Sequence, residues 1–544
     1  MNTTSFAKHA STKVTPQSRP IPGKENQMVQ NDSGGYVFKL DKWKMLDRFL
    51  VLGTETGAHN VSSEKDTVRA CTSLMECVKE NPNRVVNTIV NVSDSGRAAK
   101  NEYALFALAF VMAHAENTEE KHYARLALPS VARIGTHILH FAEFISRLKG
   151  WGTGTRKAFK SWYLSRTPEQ LAYQFIKYQQ RDGWSHRDIL RLAHPVGSED
   201  QNNIFNYITK KAKKDEKGNP VITDTSNLPK ILQVFHELPN MGEAGVIDAV
   251  TRHNIPREAI PTEMLNSMNM WRALLPSMGL TAMIRNLGKM SSIGLINNNS
   301  DNSFVDFIYS SLVDFDKMKK ARIHPMTLLF AIKTYGSGKG FRGSLSWTPS
   351  KKIMSALEQA FEFSFSYIEA SGKNMMLALD VSGSMHSQYI NNSNVSCREA
   401  AVVMAMITAR HEQNYKMYGF SDAFIPLDNK ISKDDSFADA MRKMEGIPFS
   451  RTDCSLPMVY AASQKFDVDV FTIYTDNETW YGSVHPSQAL ENYRKVMNKP
   501  NAKLVVVGML GRPFTIANPG DPYSLDLVGF DTDTPQVISA FASM

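Results

Sequence analysis

The sequence predicts a mainly helical chain in two parts: an array of helices over residues 35–370, then a doubly wound α/β unit over residues 371–544. Three observations predict it. Apolar residues recur at three- to four-residue spacing from residue 36 to about residue 370. Beyond Gly372, short apolar runs alternate with helical patterns. Charge changes sign between the parts: residues 371–544 hold 15 basic and 19 acidic side chains, whereas residues 1–370 hold 47 and 35. With 544 residues, 42% of them apolar and 21% charged, the chain can bury a large core without disulfides or structural metals. Disordered, collagen-like and mucin-like chains are excluded.

Residues 1–34 read as a flexible arm. They carry no acid before Glu25, as a mitochondrial transit peptide would, but Pro16, Pro20 and Pro22 in a polar run suit an arm better. No window offers the roughly 18 apolar residues of a membrane span. Cys71, Cys77, Cys397 and Cys454 form no C-x-x-C pair and fit no zinc module, so they read as reduced thiols of a cytosolic protein.

In the array, residues 41–52 place Trp43, Leu46, Phe49 and Leu50 on one face. Residues 64–80 continue the pattern and stop at Asn81-Pro82. Residues 102–115 are apolar almost all round, as in a helix buried on most sides. Further helices start near Lys121, His137, Arg156, Thr167, Ser185, Asn203, Leu228, Glu243, Pro261, Thr281, Ser303, Met326 and Lys352. Thr167-Pro168-Glu169 puts a capping hydroxyl before a first-turn proline. Helices joined by short polar turns suggest an α-solenoid, and without an exact repeat a HEAT-like array suits better than tetratricopeptide or ankyrin units. An irregular all-α domain is the other reading.

In the second part, residues 374–380 and 468–474 are apolar runs leading to Asp380 and, through Thr475, to Asp476; residues 503–508 form a third run. Helical patterns cover residues 398–411, 437–445, 456–465 and 487–496. A parallel sheet covered on both faces binds ligands at the carboxyl ends of its strands, where both acids lie. Asp380-Val381-Ser382-Gly383-Ser384 is D-x-S-x-S, and Thr452-Asp453 precedes a later helix. Hydroxyls and carboxylates on three loops at one edge can converge on Mg²⁺, which takes oxygen ligands and keeps several waters. A merely capped strand–helix loop would use the same residues. The set resembles the metal-ion-dependent adhesion site (MIDAS) of von Willebrand factor A domains. That resemblance implies that Ser382, Ser384 and Thr452 touch the metal, and that Asp380 and Asp476 act largely through water. No G-x-S-x-G elbow, Walker loop or positioned base is present, so no catalytic residue is assigned and no enzyme is expected. Residues 336–340 form a Gly-rich turn read as a connector that could touch phosphate.

The basic excess concentrates between Arg147 and His194, with 10 Lys/Arg against 3 Asp/Glu. A solvated basic face and a polyanion site both produce such a run. Arg156, Lys157, Lys160, Lys177, Arg181, His186, Arg187 and Arg191 are interleaved with Trp162, Tyr163, Tyr178 and Trp184. That mixture suits RNA, with cations on phosphates and aromatics under unpaired bases. Ser185 as N-cap puts His186 and Arg187 in a first helical turn, where backbone N–H groups can hold phosphate. Trp151, Trp162 and Trp184, taken singly, belong in the core, and His186 reads equally as a buried structural histidine.

The chain resembles the Ro ribonucleoprotein family, which joins a TROVE domain to a von Willebrand A domain. The resemblance rests on Gly35-Tyr36-Val37-Phe38, Gly183-Trp184-Ser185-His186, Arg285-Asn286-Leu287-Gly288-Lys289-Met290, Ala321-Arg322-Ile323-His324-Pro325, residues 380–385 and Val484-His485-Pro486. Thr15-Pro16-Gln17 is closer to bacterial or phage members, and residues 53–60 depart from the family pattern. The resemblance implies a closed ring of HEAT-like helices bridged by the A domain. It implies Y RNA on the outer basic surface, touched by His186 and neighbouring cations. It further implies single-stranded 3′ ends of misfolded or structured RNA in a central hole, and a partner 3′-exonuclease. The expected protein is a monomeric cytoplasmic scaffold for RNA quality control. A metal-dependent protein–protein adaptor is the alternative, and a metal-dependent hydrolase a third.

Overall fold

The computed structural model describes residues 14–53, 62–209, 225–299, 302–341, 343–365, 368–390, 394–448 and 450–544. Residues 54–60 of the segment that departs from the family pattern, and residues 1–13 of the expected arm, lie outside them. Helices run from Lys42–Leu52 to Lys351–Phe363. Asp41 caps the first by accepting from the amides of Trp43 and Lys44, and Thr167 and Ser185 cap theirs in capping boxes. The helix Glu102–His114 buries Leu105, Leu108 and Val111, as its unbroken apolar character requires. Pro82–Ser95 and Phe315–Ala321 are helices the spacing did not predict, and the helix expected near Pro261 is a 3₁₀ turn, Met264–Asn266, followed by Met268–Leu274. Prolines and a short apolar segment there cannot sustain an uninterrupted helix.

The array closes on itself. Arg322 donates Nε to the Asp94 carbonyl at 2.6 Å, and His324 Nε2 lies 3.0 Å from the Arg97 carbonyl, contacts 228 and 227 residues apart in sequence. The second part bridges both ends. Arg48, on the first long helix, makes a two-pronged ion pair with Asp526 at 2.6 and 2.7 Å, and Arg97 pairs with Asp531. At the far end, Lys333 pairs with Glu399 at 2.6 Å. The fold is therefore a helical solenoid closed into a ring, with a C-terminal α/β domain across the closure.

That α/β domain has a six-stranded sheet of order β11-β9-β8-β5-β6-β7, formed by β5 Met375–Asp380, β6 Tyr415–Phe420, β7 Phe424–Pro426, β8 Val470–Thr475, β9 Lys503–Gly508 and β11 Ser524–Val528. All neighbours are parallel except β6–β7. β5 and β8 are adjacent, and the chain leaves them in opposite directions, so their carboxyl ends are the switch point.

The flexible arm needs correction over residues 14–34. β1 Met28–Gln30 pairs with β2 Tyr36–Lys39, and β2 pairs with β10 Phe514–Thr515 of the A domain. Gln17 is fully buried, and Ile21, Met28 and Phe38 form a small core of their own. The prolines that argued for an arm instead suit an extended strap, whose polar groups are satisfied by the A domain rather than by water.

Candidate metal site and RNA-binding face

Asp380 ends β5 and is fully buried. Its Oδ1 accepts the Ser382 amide at 2.9 Å and its Oδ2 accepts the Thr475 hydroxyl at 2.6 Å. The Ser382 and Ser384 hydroxyls lie 3.2 Å apart at the start of the helix Gly383–Ser387. The loop carrying Thr452 is tied to both others. The Gly383 amide donates to the Ser450 carbonyl at 3.3 Å, and the amides of Trp480 and Tyr481 donate to the Thr452 carbonyl at 3.2 and 3.1 Å. Asp476, just past β8, is fully buried; its Oδ1 accepts the Glu478 amide at 3.1 Å, while its Oδ2 has no hydrogen-bond partner among the described residues. The structure thus brings Asp380, Ser382, Ser384, Thr452 and Asp476 to one sheet edge.

Electrostatics mark this edge. Burial pushes the Asp380 carboxyl up, and the facing Asp476 pushes it further. Asp476 is likewise raised by burial. Two facing buried carboxylates are costly, although Arg512 and the Ser384 hydroxyl ease Asp476, and an edge of carboxylate and hydroxyl oxygens is a donor set for a hard divalent ion. The residues present therefore fit Mg²⁺.

Sequence reasoning missed Gln17. Its Nε2 donates to Asp453 Oδ1 at 2.8 Å and to the Val484 carbonyl at 2.9 Å. Its Oε1 accepts the Thr479 hydroxyl at 2.6 Å and the Gly482 amide at 3.3 Å. One carboxamide thus joins the Thr452–Asp453 loop to the loop after Asp476. Asn31 adds bonds to the carbonyls of Asn477 and Thr479 at 3.2 and 2.8 Å. Gly35 is required here, because a Cβ would lie 1.9 Å from the Thr479 carbonyl oxygen. Thr15-Pro16-Gln17 was the only signal in the sequence, and it said nothing of position.

The basic stretch divides. Arg156 and Lys157, in the first turns of Thr153–Leu164, are exposed, and neither makes an ion pair among the described residues. Lys160 is half-buried. Lys177 lies over the rings of Tyr173 and Tyr178 at 5.4 and 5.6 Å. Arg181 is exposed on the small hairpin β3 Gln180–Arg181 and β4 Trp184–Ser185. Arg191 is exposed and donates to the Thr209 carbonyl at 3.0 Å, while Arg187 is half-buried.

His186 is corrected. The resemblance put it in contact with RNA; the structure buries it, 3% exposed. Its Nδ1 lies 2.9 Å from the Tyr163 hydroxyl, and its ring packs against Trp162, Tyr163 and Phe175. Burial and the nearby Arg166 push it down to about 3, so it is neutral at physiological pH and offers phosphate no charge. It sits on the inner side of an amphipathic helix whose outer side carries Arg191. Trp162 is also core, as read singly, with Arg166 stacked 3.6 Å over its ring.

The TROVE domain family matches residues 29–228 and 226–337, and the Ro60 von Willebrand A domain family matches residues 374–542. A Deinococcus radiodurans protein named RNA-binding protein RO60 is 34% identical over 97% of this chain and 98% of its own length. The chain belongs to the Ro60 family. A Caenorhabditis elegans Ro60 relative with the same name is 32% identical over 95% of this chain and 90% of its own. The crystal structure of the Deinococcus radiodurans Ro protein superimposes with a TM-score of 0.68 at 35% identity, covering 92% of this chain and 99% of that one. In this Ro60-family chain, no helix among the described residues is long and apolar enough to cross a membrane.

Proposed function

We propose that this chain is a non-catalytic RNA-binding scaffold. Y-like small RNA lies on the outer basic face around Arg156, Lys157, Lys160, Lys177, Arg181, Arg187 and Arg191. Single-stranded 3′ ends of misfolded or structured RNA enter the hole of the ring, for quality control or degradation by a partner 3′-exonuclease. The observation that carries this reading is the unpaired, exposed pair Arg156 and Lys157, in a family whose relatives are named RNA-binding proteins. The helices Thr153–Leu164 and His186–Ala193 pack on one another, so the Arg191 helix adjoins that pair. The all-free cysteines suit a reducing cytoplasm, and a monomer is expected because the ring closes within one chain.

The A domain holds Mg²⁺ in this reading, with Ser382, Ser384 and Thr452 as direct ligands and Asp380 and Asp476 acting through water. The ion would offer an open position to an anionic partner group. That leaves the protein–protein adaptor as a second reading, favoured by the orphaned Asp476 Oδ2.

Gel-shift titration across a salt series tests the first reading, with a Y-like stem-loop RNA and an RNA bearing a single-stranded 3′ tail. Affinity should fall steeply with salt, and Arg156→Ala with Lys157→Ala should flatten the log–log slope by about 2. Failure of the wild type to bind either RNA at about 50 mM salt sinks the scaffold reading and leaves the adaptor.

A further inference from the structure

Helices Leu280–Ser292 and Pro325–Gly336 wall a cleft of ≈ 590 Å³, within the range of small-ligand sites of about 300–1,000 Å³. The Arg285-Asn286-Leu287-Gly288-Lys289 motif lines one side. The hairpin that follows the Gly-rich turn closes the other. It is held by the Trp347 amide on the Gly338 carbonyl and the Gly340 amide on the Leu345 carbonyl, both 2.9 Å. Gly338 has φ +68°, and a Cβ there would lie 2.7 Å from the Trp347 carbonyl oxygen, so the turn demands glycine. Gly288 leaves room for the Trp347 indole, which a Cβ would approach to 2.7 Å.

The walls are aromatic and the rim is basic. Phe330 and Phe341 meet edge to face at 5.7 Å, and Phe341 is 47% exposed. Trp347 stacks on Tyr335 at 5.9 Å. Lys100, Arg285 and Lys289 line the cleft, and no Asp or Glu among the described residues does. Lys289 is engaged by Asn266 at 2.8 Å, whereas Arg285 is exposed and makes no ion pair or hydrogen bond among the described residues. Asn286 donates to the Ala282 carbonyl at 2.7 Å, which leaves its Oδ1 free to accept from a base amino group. An acidic or purely apolar peptide explains one half of this lining each; a nucleotide explains both, with a π-face for the rings and a phosphate for the cations.

We propose that this cleft takes one unstacked nucleobase of a single-stranded RNA, with the adjoining phosphate on Arg285. The assignment rests on the RNA-binding reading and names a subsite within it, separate from the basic helices at 153–193.

The test uses the full chain and a fluorescein-labelled single-stranded RNA of about ten nucleotides, a typical single-strand site size, read by anisotropy beside the stem-loop RNA. Phe341→Ala and Arg285→Ala should each lower single-strand affinity at least about five-fold relative to stem-loop affinity. An abasic oligomer should bind the wild type correspondingly weakly and ignore Phe341→Ala. Melting curves identify a variant that has lost its fold, and Phe341→Leu, which keeps apolar bulk without the ring, should lose single-strand affinity too. Wild-type single-strand affinity in Phe341→Ala and Arg285→Ala overturns the cleft assignment while leaving RNA binding intact. Displacement of the strand by a nucleoside monophosphate of equal affinity overturns it in favour of a free-nucleotide site. A wild type that binds the stem-loop RNA but no single strand overturns the cleft together with the single-strand half of the parent reading, and one that binds neither RNA overturns the whole of it.

Discussion

The basic helices and the A-domain edge place polar chemistry in opposite ways. On the helices, Arg156 and Lys157 stand in water, while His186, their neighbour in a sequence-based argument, is sealed among aromatic rings. At the sheet edge, Asp380, Ser382 and Asp476 are all fully buried, and a network spanning more than 400 residues of chain holds their loops. The difference is one of redundancy. An exposed cation acts largely alone and its loss is graded, whereas a buried carboxylate depends on each neighbour that compensates its burial.

The largest effect should come from the buried side. Arg48→Ala strands the buried Asp526 carboxylate and removes a donor to the Arg512 carbonyl at 2.6 Å. A loss of about 3–5 kcal/mol is expected, read as a lowered urea midpoint, and a change below about 1 kcal/mol would break the contrast. His186→Ala sharpens it from the other side. It should cost about 2–4 kcal/mol as a core truncation, and any fall in RNA affinity should leave the salt slope unchanged. A flattened slope in a fully folded variant would return His186 to the surface.

Gln17→Ala comes next. It leaves Asp453 and the Thr479 hydroxyl short of partners, at about 1–3 kcal/mol. Mg²⁺ should raise the wild-type melting temperature, by linkage of about 2.7 kcal/mol at a hundred-fold excess over Kd. The rise should shrink in Gln17→Ala and vanish in Asp476→Ala; an undiminished rise in both would remove the metal from this edge.

A pH effect should be smaller. Burial lowers the pKa of His140, but Glu102, 3.2 Å from Nε2, and Asp182 outweigh it, so the net shift is upward. Its stabilisation is then full below the ordinary histidine value of about 6.5 and is lost as pH rises through the raised folded value. Melting temperatures should therefore fall more on going from mildly acidic to alkaline pH in the wild type than in His140→Asn. Equal slopes would deny the pairing. The smallest effect is Lys157→Ala alone, which should leave stability within about 0.5 kcal/mol and flatten the RNA salt slope by about 1.

Much of this was legible because the signals were local. The spacing of Trp43, Leu46, Phe49 and Leu50 marked a helix, and residues 503–508 a strand, without reference to anything distant. D-x-S-x-S could be read for the same reason. β6, β7 and β11 were not, because Phe424–Pro426 is three residues of an edge, and Tyr415–Phe420 and Ser524–Val528 are short and carry a charged residue each, Lys416 and Asp526, the latter paired with Arg48 on the first long helix. The role of Gln17 was invisible, since its partners lie more than 430 residues away. His186 shows the converse limit: a basic neighbourhood says how a segment is charged, but only the helix phase says which side chain turns inward.

The strap has a consequence in time. Gln17 and Asp453 are 436 residues apart. At about 5–20 residues per second, a ribosome takes roughly 20–90 s to make the second after the first. Through that interval the paired strands β1 and β2 have emerged without β10, and their open edge must wait while the helices fold behind them. The strap, made before every helix of the array, is thus seated only after Asp453 and β10 have followed it, and maturation of the sheet edge is timed by synthesis of the A domain.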